Sequence, residues 1–159
     1  RDMGACISPF NSWQMLQGIE TLSIRVEKMC QQALTMAQWL ETLPEVSSVS
    51  YLGLKNHPYH ALANQYLHNG YGAVLTFRVK GGLEATTRFV EQLKLIKHLT
   101  NVGDVRTLIT HAASTTHRQL SEEAQIAAGV YPDLLRLSLG LEHIDDLKQD
   151  ILQAFAASK

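Results

Sequence analysis

The sequence predicts an α+β fold: a small, mainly antiparallel four-stranded sheet covered by helices and preceded by a long N-terminal helix. Two observations carry that prediction. Segments of period-two alternation take turns with segments of helical period, and the connections between them mix short loops with single helices. Four strands are also too few to close a barrel.

The first element starts at Ser8-Pro9, a hydroxyl cap followed by proline at the first helical position, where a missing N–H costs nothing. Apolar residues then recur at three-and-four spacing from Phe10 through Trp13, Leu16 and Ile19 to Met36 and Leu40, and Pro44 closes the run. Such a helix is long for a globular protein and contains Gly18, so a bend or a junction of two helices is expected there. Val46 to Tyr51 alternates as a half-buried strand, and Pro58 opens a helix. Ala73 to Val79, rich in β-formers and bounded by Gly72 and Gly81-Gly82, is the second strand. Leu83 to Leu99 has helical period, Asn101 to Asp104 is a turn, and Val105 to Thr110 a short strand. Ser121 with Glu122 and Glu123 caps another helix. Leu134 to Leu139 is the clearest strand, and Ile144 to Phe155 closes with a helix.

Composition narrows the function. The 159 residues are 45% hydrophobic and 18% charged, a normal single-domain make-up. Fourteen Lys and Arg against fifteen Asp and Glu give a net charge of −1, with the cations scattered, which argues against nucleic-acid binding. No apolar run approaches the roughly 18 residues that cross a bilayer, so no membrane role is expected. Cys6 and Cys30 form no C-x-x-C pair and point to a reducing, cytoplasmic setting. The opening on Arg1 rather than Met suggests a piece of a larger protein.

Few residues stand out chemically. In Leu134 to Gly140, alternation sets Leu135, Leu137 and Leu139 on one face and Arg136 with Ser138 on the other. A guanidinium on a rigid strand can fork onto a carboxylate, although a polar sheet face would also place an arginine there. The pairs His57/His60 and His111/His117 lack an acidic residue at metal-ligand spacing, so no metal site is expected. Ser114, Thr115 and Thr116 either bind an anion or satisfy loop backbone. The glycines do not form a dinucleotide fingerprint, and no serine, cysteine or lysine has a nucleophile's setting. By itself the chain reads as catalytically incomplete.

Six stretches, in order, resemble the C-terminal part of the pyridoxal-phosphate-dependent Cys/Met metabolism enzymes, most closely the O-acetylhomoserine sulfhydrylases. They are Met3 to Asn11, Gly18 to Leu22 with Arg25, Tyr51 to Leu54 with His57-Pro58, Asn101 to Asp104, His111 to His117, and Leu135 to Glu142. Ala112 and Leu52 stand where that family usually has proline. The resemblance implies the small domain of an aspartate aminotransferase-like fold, with residues 1–43 as a long interdomain helix region and 44–159 as the C-terminal α+β domain.

It further implies that Arg136 holds the substrate α-carboxylate, with Asn101, the backbone of Val102 and Thr116 beside it. The implied cofactor is pyridoxal 5'-phosphate, bound mainly by a large domain of the same chain that also carries the Schiff-base lysine. The isolated chain is then expected to be inactive, with no catalytic residue of its own, and the full enzyme a homotetramer. The implied reaction is γ-replacement, in which O-acetyl-L-homoserine loses acetate and gains sulfide to give homocysteine. Cystathionine γ-synthase, γ-lyase and methionine γ-lyase share the scaffold. The rival reading is a non-catalytic binding or oligomerisation module. A large uncovered apolar patch along Phe10 to Val26 would favour the missing-partner reading over it.

Overall fold

The computed structural model describes Gly4 and residues 6–158. Arg1, Met3 and Ala5 of the sequence motifs lie outside the described residues.

The long N-terminal run is two helices, α1 (Pro9–Glu20) and α2 (Leu22–Leu40), with Pro9 in the first turn and Ser8 Oγ accepting from Asn11 N at 3.2 Å. They meet at Thr21, three residues past the glycine the sequence singles out. The Arg25 guanidinium donates to the Gly18 carbonyl at 2.5 Å, and Arg25 Nε to Thr21 Oγ1 at 3.3 Å. A side chain inserted into the carbonyl ladder is a recognised cause of a helix break. No residue of α1 is buried, whereas α2 buries seven from Met29 to Leu40.

Then follow β1 (Val46–Ser50), α3 (His60–Tyr66), β2 (Val74–Val79), α4 (Gly82–Gln92), β3 (Lys97–His98), β4 (Leu108–Thr110), a 3₁₀ turn (Ala112–Ser114), α5 (Glu122–Ala127), β5 (Leu134–Ser138) and α6 (Ile144–Ala157). The strands form one sheet in the order β1-β2-β5-β4-β3, antiparallel throughout except for the outer β3/β4 pair. The four expected strands are thus joined by a fifth, two-residue edge strand. Its origin is also why α4 stops at Gln92 and not at Leu99. The Asp150 carboxylate accepts the backbone N–H groups of Lys94, Leu95 and Ile96 at 2.9 to 3.0 Å, so those donors leave the helical ladder. The freed chain runs extended beside β4.

The inward face of the sheet carries Leu75, Phe77, Val79, Ile109, Leu135 and Leu137, all 3% exposed or less. Against it pack Met36, Ala37 and Leu40 of α2, Phe89 of α4, and Ile151, Ala154 and Phe155 of α6. Phe89 stacks on Phe155 with centroids 4.2 Å apart and meets Phe77 edge-on. Gly81 and Gly82, both at positive φ, make the tight turn from β2 into α4. Ser48, Ser50, Thr76, Arg78, Thr110 and Arg136 share the opposite face, because the register pairs Thr76 and Thr110 with Arg136, Ser50 with Thr76 and Ser48 with Arg78.

Candidate functional site

Arg136 lies at the middle of β5, the central strand, so its Cα is fixed by ladders on both sides. Its Nε is buried and has no hydrogen-bond partner, and Nη2 donates weakly to the Asn101 carbonyl at 3.5 Å. Among the described residues no carboxylate pairs with it, in contrast to Arg78, whose Nε holds Asp133 at 2.8 Å while its guanidinium covers the Tyr131 ring. Two residues on, along the same face, Ser138 Oγ is also buried without a partner. A half-buried guanidinium with an orphaned donor is suited to a small anion arriving from outside.

Asn101, whose carbonyl meets the Arg136 guanidinium, and Val102 after it lie in the loop between β3 and β4 and are exposed. Val102 N–H donates to Asn101 Oδ1 at 2.9 Å, so the loop satisfies itself here, and an incoming carboxylate would have to take that donor in exchange. Asp104 stiffens the loop by accepting Arg106 N–H at 3.0 Å, and this bond holds the Asp104 carboxyl below the usual range. Thr116 is not drawn into the cluster. Its hydroxyl pairs with His117 Nδ1 at 2.9 Å and shares no hydrogen bond with Arg136, Asn101 or Val102.

The other hydroxyls and histidines bond to nearby backbone and side chains, several of them in the loop from His111 to Pro132. Thr115 Oγ1 donates to the His111 carbonyl at 2.7 Å. His111, 1% exposed, lies 2.9 Å from the Pro132 carbonyl through Nε2 and 2.8 Å from Ser114 Oγ through Nδ1. A carbonyl only accepts, so Nε2 donates to Pro132. His98 Nε2 faces the His111 backbone N–H at 3.4 Å, and burial, then His111 nearby, lower its affinity for a proton. His60 Nδ1 meets the Leu52 carbonyl at 2.7 Å, and His57 Nδ1 accepts Tyr59 N–H at 3.2 Å.

Sequence reasoning gives no role to the residues that fasten the overhanging loop. Thr107 N–H and Oγ1 donate to the two oxygens of Glu142 at 2.8 and 2.7 Å, and Gly140 N–H donates to Thr107 Oγ1 at 2.9 Å. The partners are 33 to 35 residues apart, so no local pattern announces them.

Comparison with known proteins gives a consistent result. A family model for Cys/Met metabolism PLP-dependent enzymes matches residues 1–156. An O-acetyl-L-homoserine sulfhydrylase of Thermus thermophilus is 53% identical over 98% of this chain and 37% of its own length. An O-succinylhomoserine sulfhydrylase of Pseudomonas aeruginosa is 44% identical over 99% of the chain and 39% of its own. A solved structure from Campylobacter jejuni, described as an O-acetylhomoserine (thiol)-lyase and holding pyridoxyl-lysine monophosphate, superposes with a TM-score of 0.87 at 41% identity, over 98% of this chain and 37% of that one. The chain therefore spans less than two fifths of the length of these relatives.

The residues present fit the amino-acid end of a pyridoxal phosphate site rather than its ring. Arg136 presents a cation with no acidic partner among the described residues and with its Nε unpaired. Among the described residues every lysine is exposed except Lys148, whose Nζ lies over the Trp39 ring and 3.8 Å from Asp145.

Proposed function

The chain belongs to the Cys/Met metabolism family of PLP-dependent enzymes, and from that premise we propose that it is the C-terminal portion of a cytoplasmic sulfhydrylase. Its reaction would be γ-replacement on O-acetyl-L-homoserine, with sulfide entering, acetate leaving and homocysteine as product. The O-acetyl-L-homoserine sulfhydrylase among its relatives supports that branch. The observation that carries the reading is Arg136: a guanidinium fixed on the central strand, without an acidic partner among the described residues and with its Nε orphaned.

Pyridoxal phosphate, when bound, supplies the electron sink for breaking bonds at the substrate's amino carbon. Arg136 moves no proton in this scheme. It would fork onto the α-carboxylate, and by fixing that group would set the orientation of the substrate's Cα bonds in the site. Asn101 and Val102 close the pocket from above, with Val102 N–H exchanging Asn101 Oδ1 for a carboxylate oxygen. Thr116 stands further out in the same proposal. The cofactor's lysine and most of its contacts belong to a large domain supplied by the rest of the polypeptide, so residues 1–159 alone would be inactive.

The N-terminal helices support this placement. Phe10, Trp13, Met15, Leu16, Ile19, Leu22, Ile24 and Val26 are each at least 45% exposed, a larger apolar surface than an independent module leaves open. We take residues 1–43 as the region leading in from the large domain and 44–159 as the small domain. The buried stretch from Met29 onward anchors that lead to the body. A homotetrameric assembly is part of the same proposal.

The test is Arg136→Ala in the full-length protein. Losing a forked charge-assisted pair is expected to cost about 3 kcal/mol of substrate binding, or on the order of 100-fold in kcat/KM. The absorbance of the bound cofactor should persist. Turnover near the parent's would show that Arg136 does not hold the substrate.

A further inference from the structure

We infer that Glu142 is a positioning residue for the substrate-carboxylate pocket, setting the height of the Asn101–Val102 loop over Arg136. This rests on the reading of Arg136 given above.

The segment Gly140–Glu142 begins four residues after Arg136 and is gripped by the base of the overhanging loop. Leu141 N–H donates to the Val105 carbonyl at 2.8 Å. Thr107, fully buried, donates its N–H and its hydroxyl to the two Glu142 oxygens and accepts Gly140 N–H on the same hydroxyl. The approach is so close that a Cβ on Gly140 would lie 2.4 Å from both the Arg106 carbonyl carbon and the Val105 oxygen, and 2.6 Å from Thr107 N. From the other side Gln32 Nε2 donates to the Gly140 carbonyl at 2.7 Å, so the segment cannot retreat from the loop without breaking that bond to α2.

Only a carboxylate fits this arrangement. Two donors from one residue, an N–H and an O–H, arrive at two separate oxygens, and both must accept. An amide offers one acceptor and turns its NH2 against the second donor. Among the described residues no cation pairs with Glu142, and its carboxylate is held by these two charge-assisted hydrogen bonds. Arg136 is fixed by the sheet, while Asn101 and Val102 hang between two loop bases, Leu99, whose N–H donates to the Ile109 carbonyl and whose carbonyl accepts Thr110 Oγ1, both at 3.0 Å, and Thr107, gripped by Glu142. The Leu99 base is bonded to the same sheet that holds Arg136, so the separation between guanidinium and loop is adjusted at the other base, where Glu142 holds Thr107, and a carboxylate ligand bound between them is sensitive to that distance.

The experiment uses full-length enzyme carrying its cofactor, with L-norvaline as a non-reacting α-amino acid probe measured by calorimetry, alongside KM and kcat. Glu142→Gln is expected to weaken norvaline binding about tenfold and to raise KM by a similar factor, with kcat changed far less. Thr107→Val, which removes the shared hydroxyl, should do the same, and Thr107→Ser, which keeps it, should bind within about twofold of the parent. Phe89→Leu, a core change remote from the loop, supplies a comparably destabilised control that keeps norvaline affinity. If Glu142→Gln and Thr107→Val both bind norvaline like the parent, or if Phe89→Leu loses affinity as they do, the positioning role is overturned. Should Glu142→Gln fail to fold, the Thr107→Val and Thr107→Ser comparison decides. Arg136→Ala separates the two readings: unchanged norvaline binding there would remove the carboxylate pocket itself, whereas loss there with no loss at Glu142 and Thr107 would remove only this inference.

Discussion

Asp150 shows how much structure one side chain can settle. Its carboxylate gathers three consecutive backbone donors from Lys94 to Ile96 and a fourth hydrogen bond from Gln153, and is itself 6% exposed. Asp150→Ala strands donors that helix α4 can no longer reach. Unfolding free energy should fall by about 2 to 4 kcal/mol, read as a lower urea midpoint with unchanged m. Asp150→Asn, which retains one acceptor oxygen, should lose less. A change below about 0.5 kcal/mol would mean the turn holds itself. The face that Arg136 occupies is readable in sequence, since alternation separates it from Leu135 and Leu137, while its proposed role comes from the family resemblance. The parts of Asp150 and Glu142 are not readable, because each acts on a segment 35 or more residues away. Periodicity reports which face a residue occupies and says nothing of which distant loop will need its acceptors.

At the level of elements, local signals marked beginnings better than ends. Ser8 and Ser121 each sit at the helix start they announce, whereas α3 begins at His60, two residues past the Pro58 expected to open it. The end of α4 and the existence of β3 depended on Asp150, and the break between α1 and α2 on the reach of Arg25, all tertiary or side-chain events. Strand β3 carries a pH consequence. His98 Nε2 accepts the His111 N–H only while unprotonated, and burial with His111 nearby lowers its pKa in the folded chain. An unfolded chain takes up that proton near pH 6.5, the folded one only further down. The unfolded state therefore binds more protons in that window, and stability falls as pH drops from about 6.5 through the lower folded value. His98→Gln removes this contribution. Between pH 7 and 5 the melting temperature of the parent should decline more steeply than that of His98→Gln, and parallel curves would exclude His98 as a source of the slope.

Taken whole, the molecule divides into a closed body and an open arm. The body has a dry core between the inner sheet face and α2, α4 and α6, while α1 contributes nothing to it. That asymmetry makes opposite mutational responses predictable. Core truncation such as Phe89→Ala removes stacked and edge-on aromatic contacts and should destabilise by about 3 to 5 kcal/mol. Polar substitution of Phe10, Trp13 and Leu16, which are 56 to 63% exposed, removes no buried contact and should leave the body's melting unchanged. What those three changes should alter is association. An apolar surface of this extent, uncovered in residues 1–159 alone, drives self-association that increases with concentration. The triple variant should sediment as a monomer where the parent chain does not. Trp13 fluorescence in the parent should move to shorter wavelength as concentration rises, with Trp39, already half-buried on α2, changing little. If parent and variant are equally monomeric, α1 needs no cover, and the case for a large domain packed along Phe10 to Val26 loses its structural support.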